Sequence, residues 1–484
     1  MKIRVFLVFA VFMVSLSHGQ QELVRFPTYY EEAPYPMENS FSLVDDTSGD
    51  FTVFLTKKSK VSAYFFLKNF EFHSRLYHDK FPTKYRLPLG GTIKEKKYSL
   101  FFSNDSKNKF AGITFDFESG LENSFEINLN LKKEIFIISF THHNTFYLVS
   151  ASYRENYLYL YEFNNNGEYV KKNLDLTGYD FYGNSEYKTR LKSTLALDMH
   201  NNPITEPLLV KSDIPYSLDS MISLIKLYLD NDSFYLVSDI NKDFSQIIKH
   251  NFVKERTEVF QINQPINSLN YLNNSFLRGD KLFQIKVSTK ELHYQISNIK
   301  NKSILKKYTV KKDDELFLTN GTIRQRGGRF KNYRELEKTS QFLRKIGNGN
   351  LSIYVEKADD DYHARIGSVA EIEDGVVAAV AFLNPFTVVA SFGALTLFAN
   401  PAALAFYKAS KTKAVYINNG LDNNLEITPT KEKENIFYTI QDYLKEQEIK
   451  RYSAADIFKY DDYFIFGMLD KKSKEYILLK FEGL

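Results

Sequence analysis

Strand-like alternation of hydrophobic and polar positions recurs along this chain, each time bounded by Asn, Asp, Gly and Ser. It runs from Lys96 to Leu131, from Phe146 to Leu174, from Phe234 to Ile262, from Phe276 to Val310 and from Tyr463 to Phe481. Tyr157, Tyr159 and Tyr161 interleaved with Leu158 and Leu160 are the densest example. A period of two is the signature of a half-buried strand. The spacing adds more: Tyr98 to Tyr147 is 49 residues, Tyr147 to Tyr235 is 88, or two units of 44, and Tyr235 to Phe276 is 41. A weaker unit, Ser193 to Asp198, falls in the long gap. A period of roughly 40–50 residues with three or four strands per unit predicts an all-β β-propeller of about seven blades, with an N-terminal strand completing the last one. A β-sandwich or two stacked β-domains would share the alternation but not the period.

Two stretches have helical spacing instead. Tyr333 to Ile346 places Leu336, Phe342 and Leu343 on one side and stops at Gly347. Glu434 to Lys450 places Ile436, Phe437, Ile440, Tyr443 and Leu444 in a stripe. Both are expected as short surface helices packed on the β-structure. Met221 to Leu229 is ambiguous between strand and helix.

One run breaks the pattern. Gly375 to Tyr407 holds thirty-three residues without a charge, in a chain where a quarter of the residues are charged. Pro385 and Pro401, each after Asn, favour turns and cut the run into pieces shorter than the ~20 residues a spanning helix needs. The alternation resumes beyond it, so the run is expected as an apolar insertion (375–407) within a late blade. The residues expected to enter a partner are Val376, Val377, Phe382, Leu383, Phe386, Phe392, Leu395, Leu397 and Phe398. The competing expectation is an apolar hairpin or helix buried in this protein's own core.

The ends of the chain set the compartment. Met1 to Arg4 is basic, Val5 to Ser15 apolar, and Ser17-His18-Gly19 small, so residues 1–19 read as a secretory signal peptide. Residues 20–49 read as an extended lead-in that finishes as a strand near Phe41, and 50–484 as the propeller domain. There is no cysteine, which excludes disulfides, thiolate chemistry and a lipid-modified cysteine anchor. Export without disulfides points to a bacterial envelope. The chain has 42 Phe and 33 Tyr but no Trp, consistent with pleated, half-buried surfaces. A net charge of +4, taken as spread without a basic block, argues against nucleic acid.

Catalytic signatures are absent. The nine histidines form neither HExxH nor a paired ligand spacing, and His142-His143 reads as turn filler. Asp239 to Asp243 opens like a calcium loop, but Phe244 stands where glycine is needed. Asp359-Asp360-Asp361 reads as a solvated turn, and Gly90-Gly91 and Gly327-Gly328 as turns rather than phosphate loops. No GxSxG occurs. No cofactor, no metal and no enzymatic activity are therefore expected. The alternative is a carbohydrate-active or ligand-binding propeller, glycosidase- or lyase-like, whose carboxylates would come from different blades around the central channel.

With its signal peptide, its cysteine-free Tyr/Phe/Lys/Asn-rich strands, the segment LRKIGNGNLSIYVE (Leu343 to Glu356) and the ending YFIFGMLDKKSKEYILLKF, the chain resembles envelope proteins of the Bacteroidetes. A periplasmic β-protein carrying an apolar loop further resembles the Plug subunit of the type 9 secretion translocon. That resemblance implies a non-catalytic propeller docked on an outer-membrane barrel or secretion-complex protein, its apolar loop inserted in a barrel pore.

Overall fold

The computed structural model describes residues 20–28, 39–197, 204–205, 207–319, 321–327, 330–358, 360–371, 400–409, 412–429, 435–449 and 452–482. Seven antiparallel sheets follow one another around a ring. Blade 1 consists of Asn39–Val44, Phe51–Lys57, Lys60–Phe66 and Phe72–His78. Blade 2 consists of Leu87–Lys94, Lys97–Ser103, Phe110–Asp116 and Leu121–Ile127. Blade 3 consists of Glu134–His142, Thr145–Ser152, Tyr157–Phe163 and Tyr169–Asp175. Blade 4 has Ile225–Asp230, Ser233–Ser238, Phe244–Asn251 and Arg256–Asn263, and blade 5 has Leu272–Arg278, Lys281–Val287, Glu291–Asn298 and Ile304–Lys311. In each the strands pair in sequence order, the first lying nearest the axis.

The last two blades depart from this order. Blade 6 pairs Asn350–Ala358, Asp361–Glu371 and Thr412–Leu421, then takes its outer strands, Ile323–Gly327 and Phe330–Leu336, from the chain that precedes them. Blade 7 consists of Tyr452–Tyr460, Tyr463–Asp470 and Glu475–Glu482, and the N-terminal strand Gln20–Pro27 pairs antiparallel with the last of these. Chain start and chain end are thus joined in one sheet, which closes the ring.

Apolar packing runs the full circuit. Distinct clusters lie between blades 7 and 1 (Phe51, Phe458, Tyr476), 1 and 2 (Phe54, Phe65, Phe115), 2 and 3 (Phe101, Phe146, Phe163) and 3 and 4 (Phe140, Leu227, Phe234). One large cluster joins blades 4 to 7. A sheet whose two faces both pack on neighbouring sheets has no solvent face, so several strands lose their alternation altogether. Phe51–Lys57 is buried at every position. This is the fold class that the spacing predicts, with seven blades.

Several expected details are corrected. Ser193 to Asp198 is no strand unit: Lys192–Leu195 is a helical turn (α1), and the long gap between blades 3 and 4 holds an insertion rather than a blade. The missing unit is blade 1: the strand expected near Phe41 is there, Asn39–Val44, but it opens a blade of its own. Residues 333–336 are strand, not helix, because pairing with Ile323–Gly327 overrides the helical propensity of Arg334 and Glu335; the helix (α2) is Thr339–Ile346. Gly90 and Gly91 lie within the first strand of blade 2. They are needed because a Cβ on Gly91 would stand 2.3 Å from Leu43, and one on Gly90 2.8 Å from Phe146. Between Asn400 and Pro401 there is no turn but a helix start, with α3 spanning Pro401–Ala409. The stripe from Ile436 does form a helix, α4, Ile436–Glu446.

Candidate functional site

The central channel is where a propeller ligand site is expected, and here the chain itself fills it. Leaving blade 3, the insertion forms a fifth strand, Leu208–Lys211, parallel to and inside the first strand of blade 4. It descends to the lower face, where Arg278 Nη1 donates to Ser212 O at 2.8 Å and Asp213 lies 3.9 Å from Lys459. It then climbs back through Ile214, Tyr216, Leu218 and Met221, all buried. Ser352 Oγ donates to Leu218 O at 2.7 Å and Asn274 Nδ2 to Met221 O at 3.2 Å, both near the upper ends of inner strands. Tyr216 is sealed in the wall. Its hydroxyl accepts from Lys211 N at 2.9 Å, its ring packs edge-on against Tyr354, and burial pushes its phenol well above the usual range.

The uncharged run is rooted on the upper face of this filled channel, the face that carries the connections between blades. It leaves after Glu371 and returns at Thr412, two residues paired as neighbours in blade 6. Leu218, Val369, Ala414 and Tyr416 form a small apolar cluster beneath its base. Its last turn is core. Asn400 caps α3 by accepting from Ala402 N and Ala403 N at 3.0 and 3.3 Å, with proline at the first helical position where no N–H is required. Ala402, Ala403 and Phe406 are buried, Phe406 against Phe437 of α4 and Phe466 of blade 7. The nine residues expected to enter a partner, Val376, Val377, Phe382, Leu383, Phe386, Phe392, Leu395, Leu397 and Phe398, lie outside the described residues.

Asn400 is held in turn by a buried carboxyl. Its Nδ2 donates to Asp456 Oδ1 at 2.8 Å and to Ile457 O at 2.7 Å. Asp456 sits at an irregularity of the blade 7 inner strand, beside Ala454 with φ +46°. Complete burial raises its carboxyl to about 6, although hydrogen bonds from Ser42, Ile457 and Asn400 pull the other way. Sequence reading missed this pair; the only signal was Asn before Pro ahead of an Ala-rich segment.

Several other polar groups that the sequence singles out serve the architecture. Asp239 accepts from Ser245 Oγ at 2.6 Å and Ser275 Oγ at 2.7 Å, and Asn241 Nδ2 donates to Gly183 O, so the calcium-like segment ties blade 4 to its neighbours. Lys226 Nζ, wholly buried, donates to Asn274 Oδ1, and burial lowers its ammonium to about 8. The Nε2 atoms of His142 and His143 lie 3.0 and 3.1 Å from Asn231 O, linking the first turns of blades 3 and 4. An upper-face cleft of about 910 Å³ lies between blades 2 and 3, lined by Lys84, Lys109, Glu126, Glu134 and Tyr153 among others. Its two carboxylates are engaged: Glu134 accepts from Ser150, Tyr161 and Lys171, and a hydrogen bond from Lys84 holds Glu126 below the usual carboxylate range. Glu126 is thus shifted away from the raised proton affinity that a general acid needs. Among the described residues no group of three His, Asp or Glu side chains is placed to hold a metal ion.

No family model matches, and no curated protein matches. Among solved structures, an ACO/RPE65 chimera aligns with a TM-score of 0.29 and 7% identity over 57% of this chain and 62% of the other. A mutant of Synechocystis apocarotenoid oxygenase gives the same figures. A subtype N10 neuraminidase-like protein of influenza A from a little yellow-shouldered bat gives a TM-score of 0.28 and 8% identity, covering 82% of this chain and 98% of that one. The chain thus spans about 62% of the length of the oxygenase chains it aligns with. Likenesses of this size carry no argument about activity.

Proposed function

We propose that this protein is a non-catalytic periplasmic propeller that docks on an outer-membrane protein complex, using the uncharged run of blade 6 as the inserted element. One observation carries this reading: the channel is occupied by residues 207–224 of the chain itself, while the run is rooted beside it on the upper face by Asn400, Asp456 and the cluster of Val369, Ala414 and Tyr416. A propeller built in this way is a rigid mount. Its apolar sequence calls for an apolar environment beyond the mount, and a barrel lumen or membrane-proximal partner of a secretion complex supplies one. No helix among the described residues is long and apolar enough to cross a membrane, so the contact would be made by insertion rather than anchoring. The signal-peptide-like N-terminus and the cysteine-free composition support the periplasm.

The test is site-specific crosslinking in the native envelope. Benzoylphenylalanine placed at Phe386 or Phe392 should yield one discrete adduct with an outer-membrane protein, whereas the same probe at Val253, an exposed lower-face residue, should not. Adducts at Phe386 and Phe392 that map only to this chain's own blades would return the run to its own core and refute the docking role.

A further inference from the structure

The cleft between blades 2 and 3 has a chemical character that the docking role leaves unused. At about 910 Å³ it falls within the ~300–1,000 Å³ of ordinary ligand sites, and it is lined throughout by described residues. One wall is the connection from blade 2 to blade 3. Along it burial alternates: Ile127, Leu129 and Leu131 are buried in the cluster between the two blades, while Glu126, Asn128, Asn130 and Lys132 are exposed. The apolar side chains fix the connection to the core, so the polar ones form a row on a firm base. Asn128 O accepts from Tyr169 Oη at 3.2 Å, and Asn130 Oδ1 accepts from Lys132 N at 3.0 Å, which leaves Asn130 Nδ2 as the donor. The connection 104–109 within blade 2 adds Ser106, Asn108 and Lys109, all exposed.

Tyr153 contributes an aromatic plate to the same cleft. It is 37% exposed, while its backbone is tied on both sides: Tyr153 N donates to Lys133 O at 3.0 Å, and Arg190 Nη1 donates to Tyr153 O at 3.4 Å. The lining separates the ligand classes. An apolar peptide side chain would need exposed aliphatic surface, and Ile127, Leu129 and Leu131 are turned into the core. A phosphate-rich ligand would need cations alone, but the cleft mixes Lys84 and Lys109 with Glu126 and Glu134 and contains no Arg. The local excess of basic residues lies elsewhere in the sequence, between Arg324 and Lys345, where eight Lys or Arg stand against Glu335 and Glu337; the reading of an even spread is corrected on this point. Both carboxylates of the cleft are ion-paired, Glu126 with Lys84 and Glu134 with Lys171, which favours binding over bond cleavage. A chain of sugar rings suits such a lining. Its hydroxyls accept from amide and ammonium N–H groups and donate to amide oxygens, and its C–H faces pack on an aromatic ring.

We propose that this cleft binds an oligosaccharide, with Asn128, Asn130 and Lys109 holding its hydroxyls and Tyr153 packing on a sugar ring. The site makes no use of the uncharged run, so it stands or falls separately from the docking role above. The experiment is isothermal titration of the mature chain with four tetrasaccharides: chitotetraose, cellotetraose, maltotetraose and mannotetraose. At least one should bind, uncleaved, with a dissociation constant of about 1 mM or tighter. Tyr153→Ala and Asn128→Ala/Asn130→Ala should each weaken that binding about tenfold or more. Tyr153→Phe should keep most of it, and Tyr187→Ala, at an exposed ring outside the cleft, should leave it unchanged. All these substitutions fall on exposed side chains, and a urea midpoint equal to that of the parent verifies that each chain is folded. No binding to any of the four sugars, indifference to both Tyr153→Ala and the paired Asn substitution, or tighter binding to a heptapeptide or to single-stranded DNA would each overturn the proposal.

Discussion

Blades 2 and 6 are built on the same plan and treat it differently. Blade 2 uses four consecutive strands between Leu87 and Ile127, joined by short turns, and packs by ring stacking: Phe101 lies parallel to Phe146 of blade 3 at 4.6 Å. Blade 6 borrows its outer strands from upstream, carries a helix across its face, and opens between its second and third strands to release thirty-three uncharged residues. Yet its inner strands remain in register from Tyr362–Leu421 to Glu371–Thr412 without a slip. The inner strands thus keep the repeat, while blade 6 departs from it in its outer strands, in α2 and in the connection between its second and third strands.

The comparison is sharpened first by damaging the regular blade. Phe101→Ala removes a wholly buried ring and should cost about 3–5 kcal/mol by urea unfolding. A cost under about 1 kcal/mol would mean that stacking between blades does not hold the ring together. The next effect is at the root of the run. The carboxyl of Asp456 is raised from 3.8 to about 6, so the folded chain binds a proton that the unfolded chain releases. Its contribution is fully present below about pH 4 and is lost as pH rises through 6, about 2–3 kcal/mol in all. Asp456→Asn should remove that slope. Measured against the parent chain at pH 4 and pH 8, it should gain relative stability at the higher pH; parallel pH profiles would show that the carboxyl is not buried as described. Asn400→Ala is smaller, about 1–2 kcal/mol, because it removes the cap of α3 and leaves Asp456 Oδ1 one donor short. In an Asp456→Ala background only the part due to the Asn400–Asp456 bond should disappear while the cost of the lost cap remains, and a double-mutant cycle separates the two.

The ring was legible wherever strands keep one polar face, as in Tyr157 to Phe163, and the blade number agrees because one false unit, Ser193 to Asp198, offsets the missed blade 1. Blade 1 was hidden because Phe51–Lys57 and Lys60–Phe66 are buried on both faces and show no alternation. Blade 6 concealed its order because a pairing between Ile323–Gly327 and Thr412–Leu421 spans most of a hundred residues and leaves no local mark. The course of the insertion was equally invisible: the polar residues Ser217, Asp219 and Ser220 give no local sign that they are buried between inner strands. Sequence did locate the uncharged run in a late blade. It misjudged the run's end, since Asn before Pro serves a helix start as readily as a turn.

The central claim is that the run from Val376 to Phe398 is dispensable to the ring and necessary to docking. Replacing 376–398 by a short Gly-Ser linker, then measuring both the urea midpoint and copurification from envelope extracts, tests it directly. The account predicts an unfolding midpoint within about 1 kcal/mol of the parent and loss of the outer-membrane partner. A chain that fails to fold, or one that folds and still retains the partner, would contradict it.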